Sequence, residues 1–359
     1  MTPLGVKLRE RIARCGPIPV AEFMAAANGD PEHGYYARRD PLGKRGDFIT
    51  APEISQVFGE LIGAWCADVW RKMRSPGRVL LVELGPGRGT LLADLLRATR
   101  GVPGFREAIH IHLVETSPAL ARMQEAALGE TPASWHRTFS TVPNGPLLLI
   151  ANEFLDALPV EQYVARGGLW RRRAVDLDGA GFRFVDGPCV ADPSWAVGTG
   201  AADGEIRETS PEAMALVGEI AGRLAAGRGA ALIVDYGYSC PGTGETLQAV
   251  ARHRYADPLA APGEADLSAH VDFAACAAAA RAAGAVGHGP VSQGRFLERL
   301  GIGVRRDRLI ETASPERHTS IRAACRRLTD GEAMGELFKV LALTDPAMPA
   351  PAGFEGLPL

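Results

Sequence analysis

Val79-Leu80-Leu81-Val82-Glu83-Leu84-Gly85-Pro86-Gly87-Arg88-Gly89-Thr90 passes from an apolar run carrying one acid, through three glycines, into a helix-forming stretch. An almost unbroken apolar run of this length reads as a strand buried on both faces of a parallel sheet. The glycines supply positive φ and close backbone approach at a strand-to-helix turn, where many α/β folds hold a cofactor. Spacing separates the cofactor classes. Dinucleotide loops run G-x-G-x-x-G so that pyrophosphate meets a helix N-terminus, whereas this loop runs G-x-G-x-G, and the chain has no Gly-Lys-Ser/Thr phosphate loop. Alone, such a loop could equally be an ordinary tight turn, so the flanking sequence has to decide.

Working outward, short apolar runs alternate with amphipathic segments. Strands are expected at Arg78–Leu84, Ile109–Glu115, Pro146–Ala151 and Ala230–Asp235, and helices near Arg88–Arg100, Ser117–Leu128 and Pro211–Ala226. That order predicts an α/β fold, a doubly wound and mostly parallel sheet with right-handed crossovers. The period changes to two between Tyr163 and Cys189, with glycine turns, predicting an antiparallel insertion over about 163–210. The tail reads as a helix at Val271–Ala283, a strand around Ala285–Ser292, helices within Arg305–Leu328 and a last strand at Leu337–Leu343. Residues 1–75 read as an N-terminal helical block packing on a core of 76–359. Within that block Thr50-Ala51-Pro52-Glu53 has the form of a capping box, followed by one apolar stripe from Ile54 through Val57, Phe58, Leu61, Ile62 and Trp65 to Val69.

Composition excludes several classes. With 46% hydrophobic and 23% charged residues in 359, the chain is neither disordered nor fibrous. A net charge of −3 provides no overall pull toward nucleic acid or anionic membrane. Lysine occurs only at Lys7, Lys44, Lys72 and Lys339 among 39 basic residues, so Arg171-Arg172-Arg173 and Arg305-Arg306 follow the general arginine richness and read as solvated faces. Six scattered cysteines without a Cys-x-x-Cys pair fit a reducing compartment, and the one close histidine pair, His110-x-His112, lacks the further ligands a metal site needs. No apolar run resembles a signal peptide or a membrane span, so a cytoplasmic protein without membrane insertion is expected. The oligomeric state stays open, a homodimer included.

Further acids fall at strand ends. Glu115 stands where a doubly wound fold puts a carboxylate for ribose hydroxyls, and Asn152-Glu153-Phe154-Leu155-Asp156 follows the strand Leu147–Ala151 at the same edge. Glu153 and Asp156 could also merely complement a helix dipole. The loop, with its acid two residues before the first glycine, resembles motif I of class I S-adenosylmethionine (SAM) methyltransferases. Together with Gly46-Asp47-Phe48-Ile49-Thr50-Ala51-Pro52-Glu53 and onward to Glu60, Asn152 to Pro159, Asp235-Tyr236-Gly237, and Pro262 to Phe273, it makes the chain similar to the MidA-like methyltransferases. That is the family of the mitochondrial complex I assembly factor. The likeness extends from Gly16 to about Leu343.

The resemblance implies a class I methyltransferase fold with helical additions, SAM as cofactor, and, in a bacterial member, methylation of a protein arginine. By analogy with the mitochondrial member, a hydrophilic subunit of NADH:ubiquinone oxidoreductase is the acceptor it suggests. It assigns Asp47, Thr50, Glu83, Gly85, Gly87, Glu115 and Asn152 to the cofactor, with Glu53 as a further lining residue. An arginine acceptor is strongly basic and has delocalised lone pairs, so carboxylates must orient it. Glu153 is the first candidate for that clamp, Asp156 the second and Asp235 the third, while His253 and His270 are candidate proton acceptors or structural hydrogen-bonding groups. Two departures stand out: no acid follows the third strand near Ser134–Thr138, and Glu161 occupies a position where the family pattern has histidine. A SAM-binding assembly chaperone with little turnover and a small-molecule methyltransferase are the alternative functions.

Overall fold

The computed structural model describes residues 1–38, 49–190, 202–240, 242–251 and 253–356. The chain forms two compact units, each discontinuous in sequence: one of Ile49–Leu155, Ala215–Ser239 and Val271–Leu359, the other of Met1–Phe48, Asp156–Met214 and Cys240–His270.

The first unit is built on a sheet whose main strands are β1 (Val79–Leu84), β2 (Ile109–Val114), β3 (Ala133–His136), β4 (Leu147–Asn152), β5 (Gly229–Tyr238), β6 (Val286–Ser292) and β7 (Phe338–Thr344). Their spatial order is β3-β2-β1-β4-β5-β7-β6, with Val271–Asp272 adding a short strand beside the end of β5. β1 pairs in parallel with both β2 and β4, and β4 with β5, whereas β7 runs antiparallel to its neighbours. This is the doubly wound, mostly parallel sheet anticipated from the alternation of runs. Every residue of β1 and β4 is buried, which is why both strands read as unbroken apolar runs. Because the order reverses between β1 and β4, a crevice opens beyond their carboxyl ends, the usual ligand position in such sheets.

Two local expectations change. The stretch after Thr50 is two helices, α1 (Ala51–Ile54) and α2 (Gln56–Lys72), separated by an extended Ser55 at φ −155° and ψ 130°. Ser55 caps α2 by accepting from the Val57 N–H at 3.3 Å. The Thr50 side chain makes no cap bond to α1, and Glu53 turns elsewhere, so the anticipated capping box is absent. The expected helix at Val271–Ala283 likewise begins only at Phe273, after the short strand.

In the other unit, helices Pro3–Cys15 and Val20–Gly29 pack on an antiparallel sheet of Ile18–Pro19, Leu169–Asp178, Glu161–Arg166 and Ile206–Thr209, with Gly181–Cys189 paired to the long strand. Leu4, Leu8, Phe23, Met24 and Val175 form its core, together with Leu247 and Leu267. The period-two reading was correct here. Arg172 pairs with Glu161, and Arg173 pairs with Glu245 and lies over the Phe184 ring, so these arginines face partners within the unit.

α2 carries a buried acid, Glu60, only 3% exposed. It accepts from Arg305 Nε at 2.6 Å, Arg97 at 2.5 Å and Gln56 at 3.1 Å. Burial alone would raise its pKa, but the two guanidiniums outweigh that and hold it below the ordinary value. Replacing Glu60 by Gln removes the buried partner of Arg305 while Arg97 keeps Asp94, and urea unfolding at pH 7 should give a loss of about 1–3 kcal/mol. A lowered pKa means the stabilisation is present above the unfolded carboxylate pKa and is lost as pH falls through the folded value. The gap should therefore close below about pH 4.

Candidate active site

The glycine loop joins β1 to α3 (Thr90–Ala98) at the crevice. Gly85, Gly87 and Gly89 have φ of 59°, 54° and 80°, left-handed values that side chains disfavour. At Gly85 there is also no room: a Cβ would lie 2.6 Å from Cδ2 of Phe154. Glycine is thus what allows the loop to contact the turn that follows β4.

That turn carries the first clamp candidate. Glu153 has φ +51°, rare for a residue with a side chain and a form of strain that collects at functional positions. The Ala51 N–H, in the first turn of α1, donates to its Oε1 at 2.8 Å, and Asn152 Nδ2 does so at 3.3 Å. Asn152 Oδ1 is buried without a hydrogen-bond partner. Asp235, within β5 and 1% exposed, accepts from the Phe154 and Leu155 N–H groups at 3.1 and 2.9 Å. Asp235, weighed as a third clamp, holds the turn in place.

Glu83 is 3% exposed, and its Oε2 has no hydrogen-bond partner. Burial raises its pKa to about 8. Keeping a carboxyl there is costly unless a cation arrives to meet it. Glu115 has a different environment: the Ser117 N–H donates to Oε1 at 2.7 Å and Gln124 Nε2 to Oε2 at 3.0 Å. Burial raises its pKa, while these donors work against the rise. An orphaned buried acid, a left-handed glycine cradle and a second acid fitted with donors suit SAM, which carries an ammonium on its amino-acid part and a diol on its ribose.

Glu53 belongs to the same constellation. Its Oε1 accepts from the Thr90 hydroxyl, and Oε2 lies 3.5 Å from Arg88, tying α1 to the start of α3. Thr50, half-buried just before α1, contributes its carbonyl to the N–H groups of Glu53 and Ile54. Asp47 lies outside the described residues.

Gln124 escaped the sequence reading, although a signal existed. It interrupts the buried stripe Leu120, Gln124, Leu128 of α4 (Pro118–Leu128) at spacings of four, and a polar residue in such a stripe requires partners. In the other unit, Asp156 is 7% exposed, and its carbonyl accepts from the Ala269 N–H at 3.0 Å. There Tyr36 donates to Asp266 at 2.7 Å, and burial, with the Asp266 and Asp156 charges, pushes its phenol far above the usual value. The His270 imidazole is held below its usual value by burial, and the backbone N–H of His270 donates to Thr246 Oγ1 at 2.9 Å. His110 and His112 do not act as a pair: His112 Nδ1 and His136 Nε2 share a hydrogen bond of 2.9 Å. Among the described residues, no three His, Cys, Asp or Glu side chains gather to hold a metal.

Glu83 yields a test independent of turnover. Its folded pKa is raised, so its stabilisation is complete below the unfolded carboxylate pKa and lost as pH climbs through about 8. Glu83→Gln should match the native protein near pH 4 and exceed it in stability at pH 8 by on the order of 4 kcal/mol at most. A gap that stays constant across this range in denaturant titrations would remove the buried-acid assignment.

Residues 61–291 match the family described as "Putative S-adenosyl-L-methionine-dependent methyltransferase". The Drosophila melanogaster "Protein arginine methyltransferase NDUFAF7 homolog, mitochondrial" is 41% identical over 95% of this chain and 84% of its own length. The Mus musculus protein arginine methyltransferase NDUFAF7 is 39% identical over 96% and 84%. A Burkholderia thailandensis protein crystallised with S-adenosyl-homocysteine superposes with a TM-score of 0.84 at 30% identity, covering 98% of this chain and 94% of that one. No described helix is long and apolar enough to cross a membrane. The chain belongs to this family of S-adenosyl-L-methionine-dependent methyltransferases, the MidA-like family that includes the mitochondrial NDUFAF7 proteins.

Proposed function

We propose that the enzyme methylates a protein arginine, the acceptor being a hydrophilic subunit of respiratory complex I during its assembly in the bacterial cytoplasm. The relatives' names as protein arginine methyltransferases support the acceptor type, and the NDUFAF7 names support the assembly context. The observation that carries the reading is Glu153, a carboxylate on a strained φ of +51° beside the glycine loop.

When bound, SAM supplies an electrophilic methyl on a sulfonium that is already a good leaving group, so the protein's task is mainly positioning. Glu83 meets the cofactor's ammonium, Glu115 accepts from its ribose hydroxyls, and Gly85 and Gly87 give the backbone close approach. Thr50 and Asn152 line the same cofactor. Glu153 accepts N–H bonds from the guanidinium, turns one nitrogen toward the methyl and draws positive charge to the other side. The proton released on methylation leaves through the Glu153 carboxylate to water.

Isotopically labelled SAM and a purified hydrophilic complex I subunit, followed by mass spectrometry, test the reading. Methylarginine should form with the native enzyme, and Glu153→Gln should lower kcat by roughly 100-fold while S-adenosyl-homocysteine binding stays within a few-fold. A tight complex without turnover would instead indicate a chaperone, and methylation of small molecules alone would overturn the protein acceptor.

A further inference from the structure

Gln124 is fully buried, and the reading of Glu115 as the ribose ligand leaves its part unassigned. Its side-chain amide has two donor hydrogens, and both are used: Nε2 donates to the Gly87 carbonyl at 2.8 Å and to Glu115 Oε2 at 3.0 Å. Its oxygen accepts from Trp135 Nε1 at 2.9 Å. The indole is a donor only, so it fixes which way the amide faces. Were the amide flipped, two donors would oppose each other at Trp135 and two acceptors at Glu115. One side chain on α4 therefore joins three strand ends: the loop after β1, the acid after β2 and the indole on β3. The packing is close, since a Cβ on Gly89 would come 3.3 Å from Gln124 Cα.

We infer that Gln124 is a positioning residue for the cofactor, holding the Glu115 carboxylate and the glycine loop in one register so that ribose and loop contacts form together. The inference rests on the proposed SAM site. Two consequences follow from the bonding. Donation from Gln124 keeps Glu115 an acceptor by favouring its charged form, and pinning the Gly87 carbonyl leaves the loop's other face to the ligand. No other natural side chain of this length offers two donors and an oppositely placed acceptor. Glutamate retains the Trp135 bond but lacks the donors unless protonated; methionine keeps the bulk and makes none of the bonds; asparagine is one methylene short.

The groups acting on Glu115 are the N–H groups of Ser117 and Thr116 and the Gln124 amide. His112 on β2 and His136 on β3, both held below the usual value by burial, are common to all variants compared. Calorimetric titration with S-adenosyl-homocysteine at pH 6, 7 and 8 is the experiment, on native protein, Gln124→Met, Gln124→Glu and Trp135→Phe. Native protein should bind throughout. Gln124→Met should bind about 10- to 100-fold more weakly, with the loss growing as the pH falls, because an undonated Glu115 takes up a proton more readily. Gln124→Glu should show the opposite slope, recovering binding as the pH falls, because a protonated carboxyl can again donate to Glu115. Trp135→Phe, which frees the amide to flip, should lose several-fold; it remains the deciding variant if the substitutions at 124 fail to fold. Absence of native binding would overturn the SAM site itself. Native binding with unchanged variants, or with equal losses at every pH, would overturn the role of Gln124 alone.

Discussion

The contact between Gly85 and the Phe154 ring governs the candidate site. A single extra carbon at residue 85 would come within 2.6 Å of that ring, so the loop after β1 and the turn after β4 adopt this arrangement only around a glycine. The turn is held from its other side by Asp235, whose carboxylate receives two successive N–H groups. Caught between these restraints, Glu153 accepts a left-handed backbone that costs about 1–3 kcal/mol elsewhere in the protein's balance. Its carboxylate is then steadied by the Ala51 N–H. The site is thus over-determined by contacts that are themselves unreactive.

Much of this order was visible in the residues. β1 and β4 are buried on both faces, so their runs of Val, Leu and Ile could hardly be read otherwise, and the antiparallel insertion announced itself through alternation and glycine turns. The glycine spacing pointed correctly to the cofactor class. What could not be read is instructive. The Thr50 to Glu53 pattern satisfies a capping box locally, yet Glu53 obtains better partners in Thr90 and Arg88, which are distant in sequence. A cap bond to a backbone N–H competes poorly with a hydroxyl and a guanidinium aimed at the same carboxylate. Gln124 was hidden for the same reason: its three partners lie at Gly87, Glu115 and Trp135, and no local rule links them.

Charge tells a similar story. The overall balance of −3 carries no information about the crevice, because Glu83, Glu115 and Glu153 are concentrated where strands end. Arginines elsewhere are consumed by pairs such as Arg172 with Glu161 and Arg305 with Glu60, leaving the site's acids to meet a cationic ligand. A uniform count of charges averages these two populations away.

Glu83 and Glu115 further divide their work through their surroundings, although they are the same residue type at the ends of adjacent strands. Glu83 has an oxygen without a donor and a pKa lifted to about 8, so it gains most from an incoming cation. Glu115 is supplied with N–H donors, which stabilise its charged form and leave lone pairs for hydroxyl groups. A ligand bearing only an ammonium would leave the second acid unused, and one bearing only a diol would leave the first buried and uncompensated. In the proposed site the pair suits a molecule that carries an ammonium as well as a ribose diol, and the ammonium distinguishes a nucleoside amino acid such as SAM from a dinucleotide.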